Sequence, residues 1–495
     1  MMSYTKKLAR GTGVILLFSA LAGMVSYALR VILARWLGPT EYGLFYSVFT
    51  FIIFFLFFRD WGLGAAIVKY IAEFKVKEQY AEIKTAIVSV FLVQVIGSLI
   101  FALVIFFTAD LLASRYFHDP RSVPLLYLLL LYLLLSILFI TLKQVFLGLQ
   151  ETGIYGSFEL VKNSLTLVLV LFFLKWGLGL FAPAAAYALA ALILFFLYLP
   201  SFLRRVHFFR QPLVPLLPLT RKLAHFGLPV LATTVGGKVI GYIDTLFLTY
   251  FRTLGEVGVY NVILPSALVL LDLGTTLATL LLPLSSELWA KGEHLRLEQG
   301  IRVLHRFLFA LVLPVLLTVL VFADLLINVL FGESYSNGAL AFQILIIGVL
   351  FCIVASVNNS ILSGIGQPAK VTKIVLLAAG VNIVVNVLLI PRHGITGAAL
   401  ATSVSYLLLL IFSTRSLTRQ FKISFPWRDW SKLGGAGLVF LFLVLGIKWL
   451  LVLNPWWELL VSFLLGTVVY GLVLVATKTI VPEEVKRYFR LVISP

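Results

Sequence analysis

From residue 11 onward the chain alternates long apolar stretches with short polar turns. Residues 85–109, 122–142, 176–203 and 393–414 carry no Asp, Glu, Lys or Arg. Each reaches the roughly 20 residues that cross a bilayer as a helix. Reading past single interrupting charges predicts fourteen spans: 11–36, 41–71, 85–108, 122–148, 156–174, 180–203, 223–250, 257–288, 303–323, 335–364, 371–390, 395–415, 433–452 and 456–477. The first follows Lys6, Lys7 and Arg10 but is too long for a secretory h-region and lacks a small-residue cleavage pattern, so it reads as span 1. No connection exceeds about 20 residues, so no soluble domain is expected on either side.

Charge placement orients the spans. An even number puts both termini on one side, and that side carries 23 Lys and Arg against 5 on the other. The positive-inside rule makes both termini cytoplasmic, in a multi-pass protein of the cell membrane. Trp427 and Trp430 at the inner end of span 13, and Trp456 and Trp457 at the outer start of span 14, suit interfacial belts.

Composition agrees: 61% of the 495 residues are hydrophobic and 12% charged, against about 25% charged in soluble domains. The excess of 39 Lys and Arg over 21 Asp and Glu would suggest nucleic acid in a soluble protein. Here topology and the anionic inner leaflet account for it, and no nucleic-acid partner is expected. The single cysteine, Cys352, rules out an intramolecular disulfide and a cysteine-built metal cluster. Neither metal nor cofactor is expected.

Duplication is legible in the turns. Leu37-Gly38-Pro39-Thr40-Glu41 between spans 1 and 2 parallels Leu254-Gly255-Glu256 between spans 7 and 8, and Asp60-Trp61-Gly62 parallels Asp272-Leu273-Gly274. Gly148 parallels Gly364, and Gly177 parallels Gly394. All offsets fall between 212 and 217. Two parallel six-helix repeats therefore follow, with spans 13 and 14 appended, and duplicated halves are a transporter signature. The expected fold is an all-α membrane protein with two six-helix lobes around a central cavity. Its parts are an N-lobe at 1–205, a cytoplasmic linker at 206–222, a C-lobe at 223–416, and helices 13–14 with a cytoplasmic tail at 417–495. Span 7 carries Gly236, Gly237 and Gly241, which suit close packing or a bend.

An ionisable side chain at mid-bilayer costs on the order of 3 kcal/mol and needs a reason to be there. The deep set is Arg30, Arg59, Asp60, Glu159, Lys162, Lys238, Asp244 and Asp272. Glu159 and Lys162 are i,i+3 neighbours and are expected to pair, and Arg30 and Asp244 sit at similar depth and invite a pair. Lys238 has no charged neighbour at i±3 or i±4. The candidates for an anionic substrate are Lys238, Arg59, Arg30 and Lys162; those for ion coupling are Asp60, Asp244 and Asp272. Mutual pairing for structure alone competes with each role. Neither a phosphate-binding Gly-Lys-Ser/Thr loop, a His-Glu-x2-His site nor a Gly-x-Ser-x-Gly elbow is present, so no enzyme chemistry is expected.

The segment Ala34 to Gly43, with Asp60-Trp61-Gly62-Leu63 and Lys69-Tyr70, resembles the opening of the polysaccharide transporter (oligosaccharide flippase) family. Ile361 to Ile365 with Gln367, Leu388 to Pro391, Gly394 to Ala399 and Ser405-Tyr406 resemble its spans 10 to 12. The likeness extends through Phe331 to Tyr335. It implies membership of the multidrug/oligosaccharidyl-lipid/polysaccharide exporter superfamily, with twelve core helices and two C-terminal ones. The implied activity is alternating-access transfer of a polyprenyl-pyrophosphate-linked saccharide from the cytoplasmic to the outer leaflet by a monomer in contact with membrane lipid; H+ and Na+ are the candidate coupling ions, and the sequence leaves the energy source open. In related lipid II flippases arginines of spans 1 and 2 serve the pyrophosphate. Arg30 and Arg59 occupy those spans without a residue-by-residue match. A lipid II flippase and an ion-coupled multidrug or cation antiporter of the same fold are the alternatives.

Overall fold

A computed structural model describes residues 4–206, 208–421, 427–450 and 454–479; within them the side chains of 4–12, 56–58, 60, 232–233, 272–273, 275–277, 279–280 and 427–430 lie outside the description. All regular structure among the described residues is helical. The long helices are α1 (Tyr4–Asp60), α2 (Leu63–Val76), α3 (Tyr80–Leu112), α4 (Ser122–Gly148), α5 (Thr152–Lys175), α6 (Ala182–Val206) and α7 (Leu216–Phe251). They continue as α8 (Leu254–Ala290), α9 (His294–Val321), α10 (Ala323–Phe331), α11 (Ala339–Gly364), α12 (Pro368–Gln420), α13 (Trp427–Leu450) and α14 (Pro455–Ala476).

Among the described residues eleven helices are long and apolar enough to cross a membrane, and α7, bent by 53°, makes a twelfth. Two of the eleven hold two predicted spans each: α1 is interrupted at Gly38 (φ 70°) and α12 at Gly394 (φ 55°). Counted at those breaks, the helices are consistent with fourteen crossings. Gly38 tolerates a φ that side chains oppose, and Pro39, with its fixed φ and no N–H, starts the next helix. Predicted span 2 is also broken in its C-terminal half. Trp61 (φ 48°) and Gly62 (φ 74°) separate α1 from α2.

The chain divides into two compact units, Met1–Val262 and Ile263–Pro495. In the first, α1 packs on α5, α4 on α6 and α3, and α7 on α2 and α3. In the second, α11 packs on α12, and α13 and α14 pack on each other and on α9. Phe440, Leu433 and Val444 of α13 and Tyr470 and Leu474 of α14 form that seam with Ala310 of α9.

The duplication reappears in packing. Gly148 is the last residue of α4 and Gly364 the last of α11. A Cβ on Gly148 would lie 2.9 Å from Ile71 of α2, and one on Gly364 would lie 2.7 Å from the Leu282 carbonyl of α8. In each half, then, span 4 of the repeat presses a glycine onto span 2. Elsewhere the halves diverge: Gly62 breaks a helix, whereas its counterpart Gly274 lies inside continuous α8, against Ile353.

The turn motifs of both repeats also meet within the first unit. A Cβ on Gly43 would lie 1.8 Å from the Leu254 carbonyl oxygen, and one on Gly258 would lie 1.9 Å from that of Pro39. Only glycine permits this backbone approach. Beside it, Arg121 bonds Glu41 at 3.1 Å and Asp119 at 2.9 Å, tying the α3–α4 loop to the turn. Burial pushes the Asp119 carboxyl up, but hydrogen bonds and charge from Arg121 outweigh it and hold the group below its ordinary range.

Candidate functional site

The hairpin at Gly38 places Arg30, eight residues before it, opposite Tyr46, eight residues after, about 12 Å below the turn. The Arg30 guanidinium lies 4.8 Å from the Tyr46 ring centroid, a cation–π contact that strengthens away from water. Around Tyr46 the rings form a continuous wall. Tyr42 is 4.5 Å away, Phe49 6.1 Å, and Phe49 reaches Tyr187 of α6 at 5.1 Å and Tyr132 of α4 at 6.4 Å. Tyr132 and Tyr187 close the set at 5.5 Å. Helical spacing brings Tyr42, Tyr46 and Phe49 onto one side of the second half of α1, while α4 and α6 pack together and supply the other two tyrosines. No carboxylate among the described side chains pairs with Arg30; phenol rings surround it instead.

Nearer the α4–α5 turn of the same unit, Glu159 of α5 receives two ammonium groups. Lys162, one turn on, and Lys143 of α4 both lie 2.5 Å from its carboxylate oxygens. The i,i+3 pair is as expected from sequence, and the second lysine was missed. Lys143 is the first charged residue after an uncharged run within span 4, a signal that was visible but pointed to no partner. Two cations on one anion leave the cluster with a net positive charge. Its neighbours are aromatic and polar: the Lys143 ammonium is 5.4 Å from the Tyr155 ring, and Asn163 donates to the Ala22 carbonyl at 2.9 Å, tying α5 to α1.

The remaining candidates separate. Arg59 is 5% exposed and donates to the Leu133 carbonyl at 2.9 Å, to Ser136 Oγ at 3.3 Å and to Ser98 Oγ at 3.4 Å, which joins α1 to α3 and α4. Lys238 is half-buried on α7, 5.2 Å from the Tyr242 ring one turn on, with no carboxylate among the described side chains in ion-pair contact. Asp244 is 1% exposed and accepts a hydrogen bond from the Tyr260 hydroxyl of α8. The Arg30–Asp244 pair is therefore not formed: one cation sits on a ring and the carboxylate takes a phenol. The side chains of Asp60 and Asp272 lie outside the described residues.

Chemically, the first unit offers cations at two levels, Arg30 toward the Gly38 turn and Lys143 with Lys162 toward the α4–α5 turn, joined by tyrosines. Such groups bind phosphate by charge and sugar rings by stacking and hydroxyl hydrogen bonds.

Some comparisons with known proteins extend over nearly the whole chain. An uncharacterized membrane protein of Methanocaldococcus jannaschii is 29% identical over 90% of this chain and 91% of its own length. A protein of Haloferax volcanii described as a probable low-salt glycan biosynthesis flippase is 24% identical over 55% of this chain, a match spanning 58% of that relative. The solved structure of a lipid II flippase in an inward closed conformation superposes with a TM-score of 0.76 at 16% identity, covering 92% of this chain and 97% of that one. That likeness gives the fold. The family model described as polysaccharide biosynthesis protein matches residues 8–289, more than half of the sequence. The chain is accordingly a member of the polysaccharide biosynthesis protein family, with the helical membrane-transporter fold expected from its sequence.

Proposed function

We propose that this protein is a flippase, not an enzyme, and that it moves a polyprenyl-pyrophosphate-linked oligosaccharide or polysaccharide precursor from the cytoplasmic to the outer leaflet of the cell membrane by alternating access. Family membership and the glycan-flippase relative support the class of cargo. The distribution of 23 against 5 basic residues supports cytoplasmic termini.

The observation that carries the reading is the surplus of cations inside the first unit. A cation without a carboxylate partner costs several kcal/mol in an apolar setting unless something compensates it. Arg30 is held among tyrosines with none of the described carboxylates paired to it, and Lys143 and Lys162 together outnumber Glu159. A pyrophosphate bears the missing negative charge, and the half-buried rings of Phe49 and Tyr187, backed by buried Tyr46 and Tyr132, suit the saccharide. We assign Arg30 and Lys162 to the substrate, Lys238 to the same anionic group at another stage, and Arg59 to holding α1 against α3 and α4.

The test uses proteoliposomes holding a fluorescent, short-chain lipid-linked saccharide, with outer-leaflet label read by an impermeant quencher. Wild-type protein is expected to transfer label faster than protein-free vesicles. Arg30→Gln and Lys162→Gln are expected to slow transfer at least about tenfold, since one charge-assisted contact contributes about 1.5–3 kcal/mol, while Arg30→Lys retains part of it. Wild-type transfer no faster than in empty vesicles sinks the flippase reading; unchanged transfer in both Gln variants at normal protein level sinks the site.

A further inference from the structure

At the inner end of the first unit, α2 and α7 cross at a glycine pair. A Cβ on Gly62 would lie 2.1 Å from the Gly227 carbonyl oxygen, and one on Gly227 would lie 2.7 Å from that of Gly62. From this crossing both helices extend inward, α2 toward its C-terminus and α7 toward its N-terminus. Lys69 lies seven residues along α2 and Lys222 five residues along α7, about 10 and 8 Å inward of the crossing. The two lysines therefore reach the same level from opposite helices.

There they share one ring. The Lys69 ammonium lies 4.4 Å from the Tyr70 centroid and 4.3 Å from that of Phe226, and the Lys222 ammonium lies 4.8 Å from Tyr70 and 5.3 Å from Phe74. Like charges brought onto one aromatic ring repel. The nearby carboxylate, Glu73, is already paired with Lys77 at 2.7 Å, so the cluster holds a surplus of cations. Both lysines are exposed, whereas Tyr70 is buried beneath them. The residues next to the crossing are apolar and exposed: Trp61 at 54% and Leu228 at 47%. A cationic pair on rings at the inner interface, with apolar surface one step toward the bilayer, fits an amphiphile that has an anionic head and a hydrocarbon tail.

We propose that Lys69 and Lys222 form a binding site for the phosphate of an inner-leaflet lipid, with Tyr70 and Phe226 as its floor and Trp61 and Leu228 against the chain. The head is a phosphoester, supplied either by a phospholipid or by a polyprenyl carrier. The site rests on the α2–α7 crossing and, for its leaflet, on the cytoplasmic termini proposed above, and is independent of the transport activity.

The full-length protein in detergent micelles is titrated with farnesyl diphosphate, a soluble isoprenoid phosphate, by native mass spectrometry. Lys69→Gln/Lys222→Gln is expected to bind at least about tenfold more weakly, at roughly 1 kcal/mol per basic residue near a charged lipid surface. Lys69→Arg/Lys222→Arg, which keeps the charge, is expected to bind within a few-fold of wild type. Equal binding by the Gln pair and wild type overturns the site, as does equal binding of inorganic pyrophosphate and farnesyl diphosphate, which would remove the lipid chain. Competition by phosphatidylglycerol at matched concentration identifies the source as phospholipid; failure to compete identifies the polyprenyl carrier. Both outcomes keep the phosphate site, and neither measures transport.

Discussion

Gly258 is where α8 touches the turn at Pro39, and Gly258→Ala tests that contact with its own control nearby. The added Cβ would sit 1.9 Å from the Pro39 carbonyl oxygen, whereas ordinary contact begins at 3.4 Å, so about 1.5 Å of separation must be created. Overpacking of this kind costs about 1–3 kcal/mol. Helix propensity works the other way, favouring alanine over glycine by up to about 1 kcal/mol. Gly255, one turn earlier and in the first turn of α8, carries at most the same propensity gain and no clash, because its nearest non-local atom would be Thr40 Oγ1 at 3.8 Å. Gly255→Ala is therefore expected to be neutral or slightly stabilising, and Gly258→Ala to fall about 1–3 kcal/mol below it. The assay is tryptophan-detected thermal unfolding of both variants in the same detergent at one scan rate, since the apparent Tm of such a protein depends on rate. A Gly258→Ala midpoint equal to or above that of Gly255→Ala refutes the close approach.

Two further outcomes follow from named contacts. Arg59→Met removes the donor to Leu133, Ser98 and Ser136 from a buried site. Because Ser136 itself donates to the Leu133 carbonyl at 2.7 Å, the loss is held to about 1.5–3 kcal/mol; a wild-type unfolding midpoint contradicts the assignment of Arg59 to helix joining. Asp119 is held below its ordinary range by Arg121, so its pairing stabilises the fold above the usual carboxylate pKa and the benefit fades as pH falls through the lowered value. The partly exposed pair is worth less than about 1 kcal/mol after solvent screening. The Tm difference between wild type and Asp119→Asn should shrink from pH 7 to pH 3, and a pH-independent difference removes the pairing from the account.

Much of the architecture is local in origin and so is written in the order of residues. A run of bilayer length must be helical, because lipid offers its backbone no hydrogen-bond partners. Glycines at offsets of 212 to 217 mark the duplication. Gly38, Gly148, Gly177, Gly364 and Gly394 all stand at helix ends or breaks in the structure. The Glu159–Lys162 pair was equally legible, since i,i+3 neighbours share a helix face whatever the tertiary fold.

Partners on different helices were decided only by packing. The same burial cost required Arg30, Arg59 and Asp244 to be compensated, but it did not say by what. The structure gives Arg30 a tyrosine wall, Arg59 two serines and a carbonyl, and Asp244 a phenol. Lys143 joins Glu159 because α4 lies beside α5, a register that helix periodicity cannot encode. The sequence thus determined that the chain is an all-helical membrane protein and that its interior charges need partners; the tertiary structure alone decided which partners meet, because inter-helix contacts depend on rotation and depth of packed helices rather than on spacing along one of them.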